Sequence, residues 1–251
     1  MTDVIRTRRG WVSGYYELRF VLRSGPSAGL GSETYVIVRA APKRHAKVLV
    51  QVPVNTWQAY NQWGGRSLYA EHGLPAGYRV SFDRPYADSN QLPRQWELQL
   101  VRFLERHDYD VSYQTDLDTD ADPGSLLQHT LVMTAGHDEY WTKGIRDAFE
   151  AARDAGVNLA FMGANVGYWQ MRYEDGGQTI VEYREKLLDP EPDEALKTAR
   201  FWRLQPPRAR SAPCVASDGW TGSAGRTPTS PCRSRYPTLG SRAPGLPRTA
   251  R

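Results

Sequence analysis

Hydrophobic positions follow two rhythms along this chain. In residues 11–22, WVSGYYELRFVL, and 33–39, ETYVIVR, aromatic and β-branched residues recur at strand-like spacing, with the loop SGPSAGLGS between them. The pair predicts a β-hairpin, a unit seldom stable alone. It reads as the end of a β-domain, covering residues 1–41, whose earlier strands are missing. After Ala41-Pro42 the rhythm changes. HAKVLVQVPV is a short strand of the fully buried kind. Residues 94–106, RQWELQLVRFLER, bring Trp96, Leu100, Phe103 and Leu104 to one helical face. YDVSYQT and TLVMTA are strands, WTKGIRDAFEAARDAG is a helix closed by Gly156, and VNLAFMGAN is a further apolar strand.

Strands alternating with helices predict an α/β domain over residues 42–202. Its core would be a mostly parallel, doubly wound sheet of the flavodoxin/glutamine-amidotransferase-like kind. Ligands of such sheets bind beyond the carboxyl ends of the strands. The unusual motifs fall at those ends: NTWQAYNQWGG after the first strand, GHDEYW after TLVMTA, and GANVGYWQMRYE after VNLAF.

Composition sharpens this picture. The 251 residues carry a formal charge of +4. The stretch from Arg203 to Arg251, however, has nine arginines, no lysine and one acid, Asp218. That +8 leaves −4 for the first 202 residues, so the basic pI gives no reason to expect a nucleic-acid partner. The same stretch holds both cysteines, Cys214 and Cys232, and shows no apolar periodicity. It reads as a disordered extension or as a frameshifted translation of a GC-rich gene. Without cysteine, residues 1–202 cannot use a thiol nucleophile, a zinc–thiolate centre or a disulfide. No apolar run reaches the roughly 18 residues of a membrane span, and the N-terminus lacks a signal-peptide core, so a cytoplasmic protein is expected.

The candidate chemistry sits in the three motifs. Glu139 of GHDEYW could be a metal ligand or a general base, with His137 orienting it or moving a proton. The plainer alternative has Asp138 or Glu139 capping a helix that starts at Tyr140. NTWQAYNQWGGRSLY combines aromatic bodies with polar tips, as a pocket wall does, and offers Asn61 and Trp63; Tyr60 or Tyr69 could ligate a trivalent metal as phenolate. The alternative is a packed loop. GANVGYWQMRYE supplies Asn165, Tyr168, Gln170 and Arg172, or else ordinary capping and aromatic packing. The chain lacks the HExxH, GxSxG, phosphate-loop and GxGxxG patterns where they would be needed.

In this order, VPVNTWQAYNQWGGRSLY, GHDEYW and NLAFMGANVGYWQMRYE resemble the C-terminal domain of the N,N-dimethylformamidase large (β) subunit family, and SGYY resembles the strand leading into it. The resemblance covers about residues 11–202. It implies a mononuclear Fe³⁺ held by two tyrosines and a glutamate. These would be Glu139, Tyr60, and Tyr16 of SGYY, with Tyr69 as the alternative to Tyr16. It further implies hydrolysis of a small amide C–N bond by metal-activated water, His137 handling the proton, and a pocket lined by Asn61, Trp63, Asn165 and Tyr168. A small subunit and a homo-oligomer are the partners it suggests. The chain also departs from the family: most of the β-domain is missing and an Arg/Pro-rich tail replaces the domain's end. A truncated, inactive copy, a non-catalytic binding module or a pseudogene-like fragment is therefore the other expectation.

Overall fold

The computed structural model describes residues 5–8, 10–41, 44–70, 75–87 and 95–200. The expectations for the Arg/Pro-rich tail fall outside them. Strands β1 (Gly14–Val21) and β2 (Gly31–Val38) form the expected antiparallel hairpin, in register from Gly14 with Val38 to Val21 with Gly31. Tyr15, Tyr35 and Ile37 pack onto the main core, while Phe20, Val21 and Leu22 at the far end are exposed. Ser13 secures the hairpin by accepting the Tyr113 N–H through its Oγ at 2.8 Å.

The chain then forms β3 (Val48–Val52), α1 (Val54–Tyr60), β4 (Arg79–Ser81), α2 (Leu98–Arg106), β5 (Val111–Thr115), α3 (Asp116–Ala121) and β6 (Leu131–Gly136). Next come β7 (Tyr140–Trp141), α4 (Lys143–Asp154) and β8 (Asn158–Gly163). The last strands are β9 (Trp169–Gln170), β10 (Arg172–Glu174), β11 (Thr179–Val181) and β12 (Ala199–Arg200). Strands β5, β3, β6 and β8 lie in that order in one parallel sheet. Both faces are covered. Val48, Val50 and Val52 meet Trp57, Tyr113 and Leu104 of α2, whereas Leu49 and Val132 meet Ile145, Ala148, Phe149 and Ala152 of α4. Burial on both sides explains why these strands read as continuous apolar runs. Two small sheets, β10-β11-β4 and β12-β9-β7, account for the remaining strands. The residues around them form a third apolar cluster that includes Leu68, Tyr140, Trp169 and Ile180.

The structure corrects two local expectations. Helix α2 starts at Leu98, and its inward residues are Leu100, Val101 and Leu104; Phe103 is exposed beside His107 and Tyr109, and Trp96 precedes the helix. Helix α4 starts at Lys143 with Thr142 as its cap, the Thr142 hydroxyl accepting the Ile145 N–H at 3.0 Å. It ends as expected at Gly156 (φ 90°), where Val157 and Gly156 donate to the carbonyls of Ala152 and Arg153. Tyr140 and Trp141 belong to a strand, so neither Asp138 nor Glu139 is a helix cap.

Candidate functional site

The chain leaves β3, builds β5 on one side, then recrosses to place β6 on the other. The carboxyl ends of β3 and β6 therefore flank the point where strand order reverses, the usual ligand crevice of such sheets. Tyr60 comes from the end of α1, just beyond β3, and His137 to Glu139 follow β6 directly. Two glycines allow the close approach there. Gly136 has φ 63°, and a Cβ on it would lie 2.5 Å from Glu97 Oε1; one on Gly163 would lie 1.5 Å from the Gly136 carbonyl oxygen.

Side chains converge on the Glu139 carboxylate, which is 4% exposed. The hydroxyls of Tyr60 and Tyr69 both donate to Oε2, at 3.0 and 2.7 Å. His137 Nε2 is 3.2 Å from the same oxygen and 3.1 Å from the Tyr60 hydroxyl. Oε1 accepts the Trp169 indole N–H at 3.1 Å, and the Glu139 backbone N–H donates to Thr56 Oγ1 at 2.9 Å. Tyr60 and Tyr69 pack with ring centroids 4.3 Å apart, and Trp96 lies 4.9 Å from the His137 ring.

Burial, reinforced by the neighbouring Glu139, holds the Tyr60 phenol far above its ordinary pKa. Burial, Tyr140 and Glu139 do the same for Tyr69. Both phenols thus stay protonated and their protons point at one carboxylate oxygen. A trivalent cation replacing those two protons would meet three hard oxygen donors of matching total charge, a set that suits Fe³⁺. Among the described residues no group of three or more His, Cys, Asp or Glu side chains is arranged to hold a metal ion. The residues fit the group that the sequence resemblance implies.

Asp138 has a supporting task. It is fully buried and accepts the Gln51 amide through Oδ2 and the Trp141 indole through Oδ1, each at 2.8 Å. Burial first of all pushes its carboxyl up to about 7. Strand β3 and β7 are thereby tied to the turn that carries Glu139.

The expected site residues are only partly assembled. Tyr60, His137 and Glu139 come together, and Tyr69 joins them. Tyr16 does not: its hydroxyl donates to the Val12 carbonyl at 3.0 Å and its ring stacks on Trp11. Asn61 is buried and fully engaged, donating to Gln58 and Pro85 and accepting from Trp63 and Ala87. Trp63 is exposed, and so is Asn165, whose positive φ of 54° shapes the turn before Tyr168. Tyr168 packs edge-on against Trp169. Gln170 is buried and bonds to the Ala195 and Lys197 carbonyls. Arg172 pairs with Asp189 and Glu174. Residues not singled out beforehand are Thr56, Trp96 and Trp169. Thr56 and Trp169 lie inside the unusual motifs at the strand ends, whereas the sequence pattern places Trp96 on a helix face.

No helix among the described residues is long and apolar enough to cross a membrane. A search of curated proteins returns no match. The family model for the N,N-dimethylformamidase beta subunit-like C-terminal domain matches residues 4–229, a range that includes the hairpin and runs into the stretch read as tail. With nearly the whole chain matched, and with the motifs of the resemblance meeting around one carboxylate, the chain belongs to the N,N-dimethylformamidase beta subunit-like family.

Proposed function

We propose that this domain is an iron-dependent amidohydrolase cleaving the C–N bond of a small amide, with Tyr60, Tyr69 and Glu139 holding the metal. The observation that carries the reading is the convergence of two phenolic hydroxyls on Glu139 Oε2. A ferric ion held there would polarise a substrate carbonyl and lower the pKa of a water beside it. The chain's own groups supply the rest. Trp169 and Thr56 hold Glu139 in place before any ligand arrives, so little reorganisation is needed. His137, within reach of Tyr60 and Glu139, carries a proton to the amine as the C–N bond breaks. The rings of Tyr60, Tyr69 and Trp96 exclude bulk water, and so buried a carboxylate suits a small substrate. A formamide would yield formate and an amine.

The strand order β5-β3-β6-β8 supports a flavodoxin/glutamine-amidotransferase-like class for the sheet, and the family relationship supports assembly with a small subunit and into a homo-oligomer. The test is to purify the full chain without chelator, then record metal content, visible spectrum and formate release from small formamides. Equimolar iron with a tyrosinate charge-transfer colour is expected. Tyr60→Phe or Tyr69→Phe should bleach that colour, and Tyr16→Phe should leave it. A folded protein that is colourless and takes up no iron would overturn the reading and favour a non-catalytic binding module.

A further inference from the structure

Arg184 belongs to none of the motifs that mark the site, yet its guanidinium touches all three segments that build it. Nη2 and Nε donate to the carbonyl of Leu68, the residue before Tyr69, at 2.5 and 3.1 Å. Nη2 also donates to the hydroxyl of Tyr140, the residue after Glu139, at 2.8 Å. The guanidinium carbon lies 4.5 Å from the centre of the Tyr69 ring and 4.6 Å from that of Trp169. Those two rings carry the O–H and N–H that bond to the two oxygens of Glu139. The backbone at Arg184 adopts φ 64°, a left-handed conformation that a long side chain rarely takes, and its N–H is held by Glu182 Oε1 at 2.6 Å. Glu182 itself is buried and ion-paired to Arg184 Nε at 3.3 Å. A strained residue, locked from both sides, is aimed at this one spot.

We infer that Arg184 is the positioning residue of the site, a clamp that fixes Tyr69 and Trp169 against Glu139 by tying together the segments at residues 68–69, 139–140 and 169. The role needs a planar cation: the guanidinium can stack on both rings while its in-plane N–H groups reach two acceptors. A lysine keeps the charge but offers neither the plane nor the fork. The clamp acts through Tyr69 and Trp169 and takes no part in bond making. Its consequence for the metal rests on the iron reading proposed above, whereas its consequence for Trp169 does not.

The test is Arg184→Lys in the full chain, with two readouts. The first is the indole N–H resonance of Trp169 in the metal-free protein, identified by its loss in Trp169→Phe. The second is ferric affinity, followed by the charge-transfer band. The variant should keep the wild-type far-UV spectrum, displace the Trp169 resonance and lower ferric affinity by about tenfold, the usual loss when an outer partner of a ligand is removed. Leu126→Ala, in the core on the other face of the sheet, should lose stability without moving that resonance. Arg184→Lys with the Trp169 resonance unmoved, or with wild-type iron affinity, overturns the clamp. If Arg184→Lys does not fold, Tyr140→Phe decides, because it removes one acceptor and leaves Arg184 in place: a displaced resonance supports the clamp and an unmoved one overturns it. If the wild type takes up no iron, the metal reading fails and the resonance alone judges the clamp.

Discussion

At the scale of single residues, the site is a set of buried polar groups whose protons are held where water cannot compete. Glu97 extends this behind the Gly136 turn. It is fully buried, its Oε1 accepts the Trp57 indole at 3.4 Å, and its Oε2 has no hydrogen-bond partner among the described residues. Burial pushes its carboxyl up to about 8, with Asp138 adding to the rise. An acid whose pKa is raised by folding contributes full stability below its ordinary value near 4.5 and loses it as pH rises through the folded value. Stability should therefore fall between about pH 4.5 and 8, with Glu97 contributing up to ~1.4 kcal/mol per pH unit. Glu97→Gln should remove that contribution, so that its stability relative to the wild type improves steadily from pH 5 to pH 8 in urea unfolding. An identical pH slope in the two proteins would show that Glu97 is charged in the fold. Asp138 and Glu182, both pushed up to about 7 by burial, leave a residual slope in the variant. None of this was legible in the linear chain, because Glu97 looks like one more polar residue on an amphipathic helix.

At the scale of elements, the apolar runs and the breaks between them located every strand of the parallel sheet and helices α2 and α4, but not the short helices α1 and α3, which also pack on it. Boundaries near polar clusters were less legible. GHDEYW followed by TKG looks like a capped helix start, but the chain first makes the two-residue strand β7, and the helix waits for Thr142. The cause is tertiary: β7 pairs in parallel with β9, a strand some 30 residues on, with Trp169 and Met171 donating to the Glu139 and Trp141 carbonyls. Thr142→Ala should cost about 1 kcal/mol by removing the cap, measured as a lower unfolding midpoint. The Tyr60–Tyr69–Glu139 geometry should survive it, and loss in that variant of the ferric colour expected under the proposed function would mean that α4, not the strand pairing, sets the Glu139 turn.

At the scale of the whole molecule, the two faces of the sheet divide the labour. The face with α4 is a close-packed aromatic and aliphatic core. Phe149 lies stacked on Trp141 at 4.5 Å and near Phe161 at 6.1 Å. Phe149→Ala should cost about 3–5 kcal/mol, a large share of the ~5–15 kcal/mol stability of a typical domain. Calorimetry should show one cooperative transition moved to lower temperature. A second, separate transition would mean that the two faces unfold independently. The other face carries the hairpin through Tyr15, Tyr35 and Ile37, so a segment that reads in isolation as a remnant is packed into the same core.

The sequence by itself determined the alternation of strands and helices, the hairpin, the three motifs at the strand ends and the family they resemble. Each depends on local spacing or on short runs of residues, and side-chain periodicity is a property of the chain alone. It also offered Tyr16 and Tyr69 as alternatives for a second tyrosine beside Glu139. Tyr16 stands between Tyr15 and Glu17 and Tyr69 between Leu68 and Ala70, and nothing in these neighbours says which ring reaches Glu139. Only the tertiary structure decided that, because the contact joins positions 70 residues apart and depends on the loop from Leu68 being held by Arg184, 116 residues further on. Long-range contacts of this kind leave no local periodicity, and so the polar convergence on Glu139 appears only once the sheet has folded.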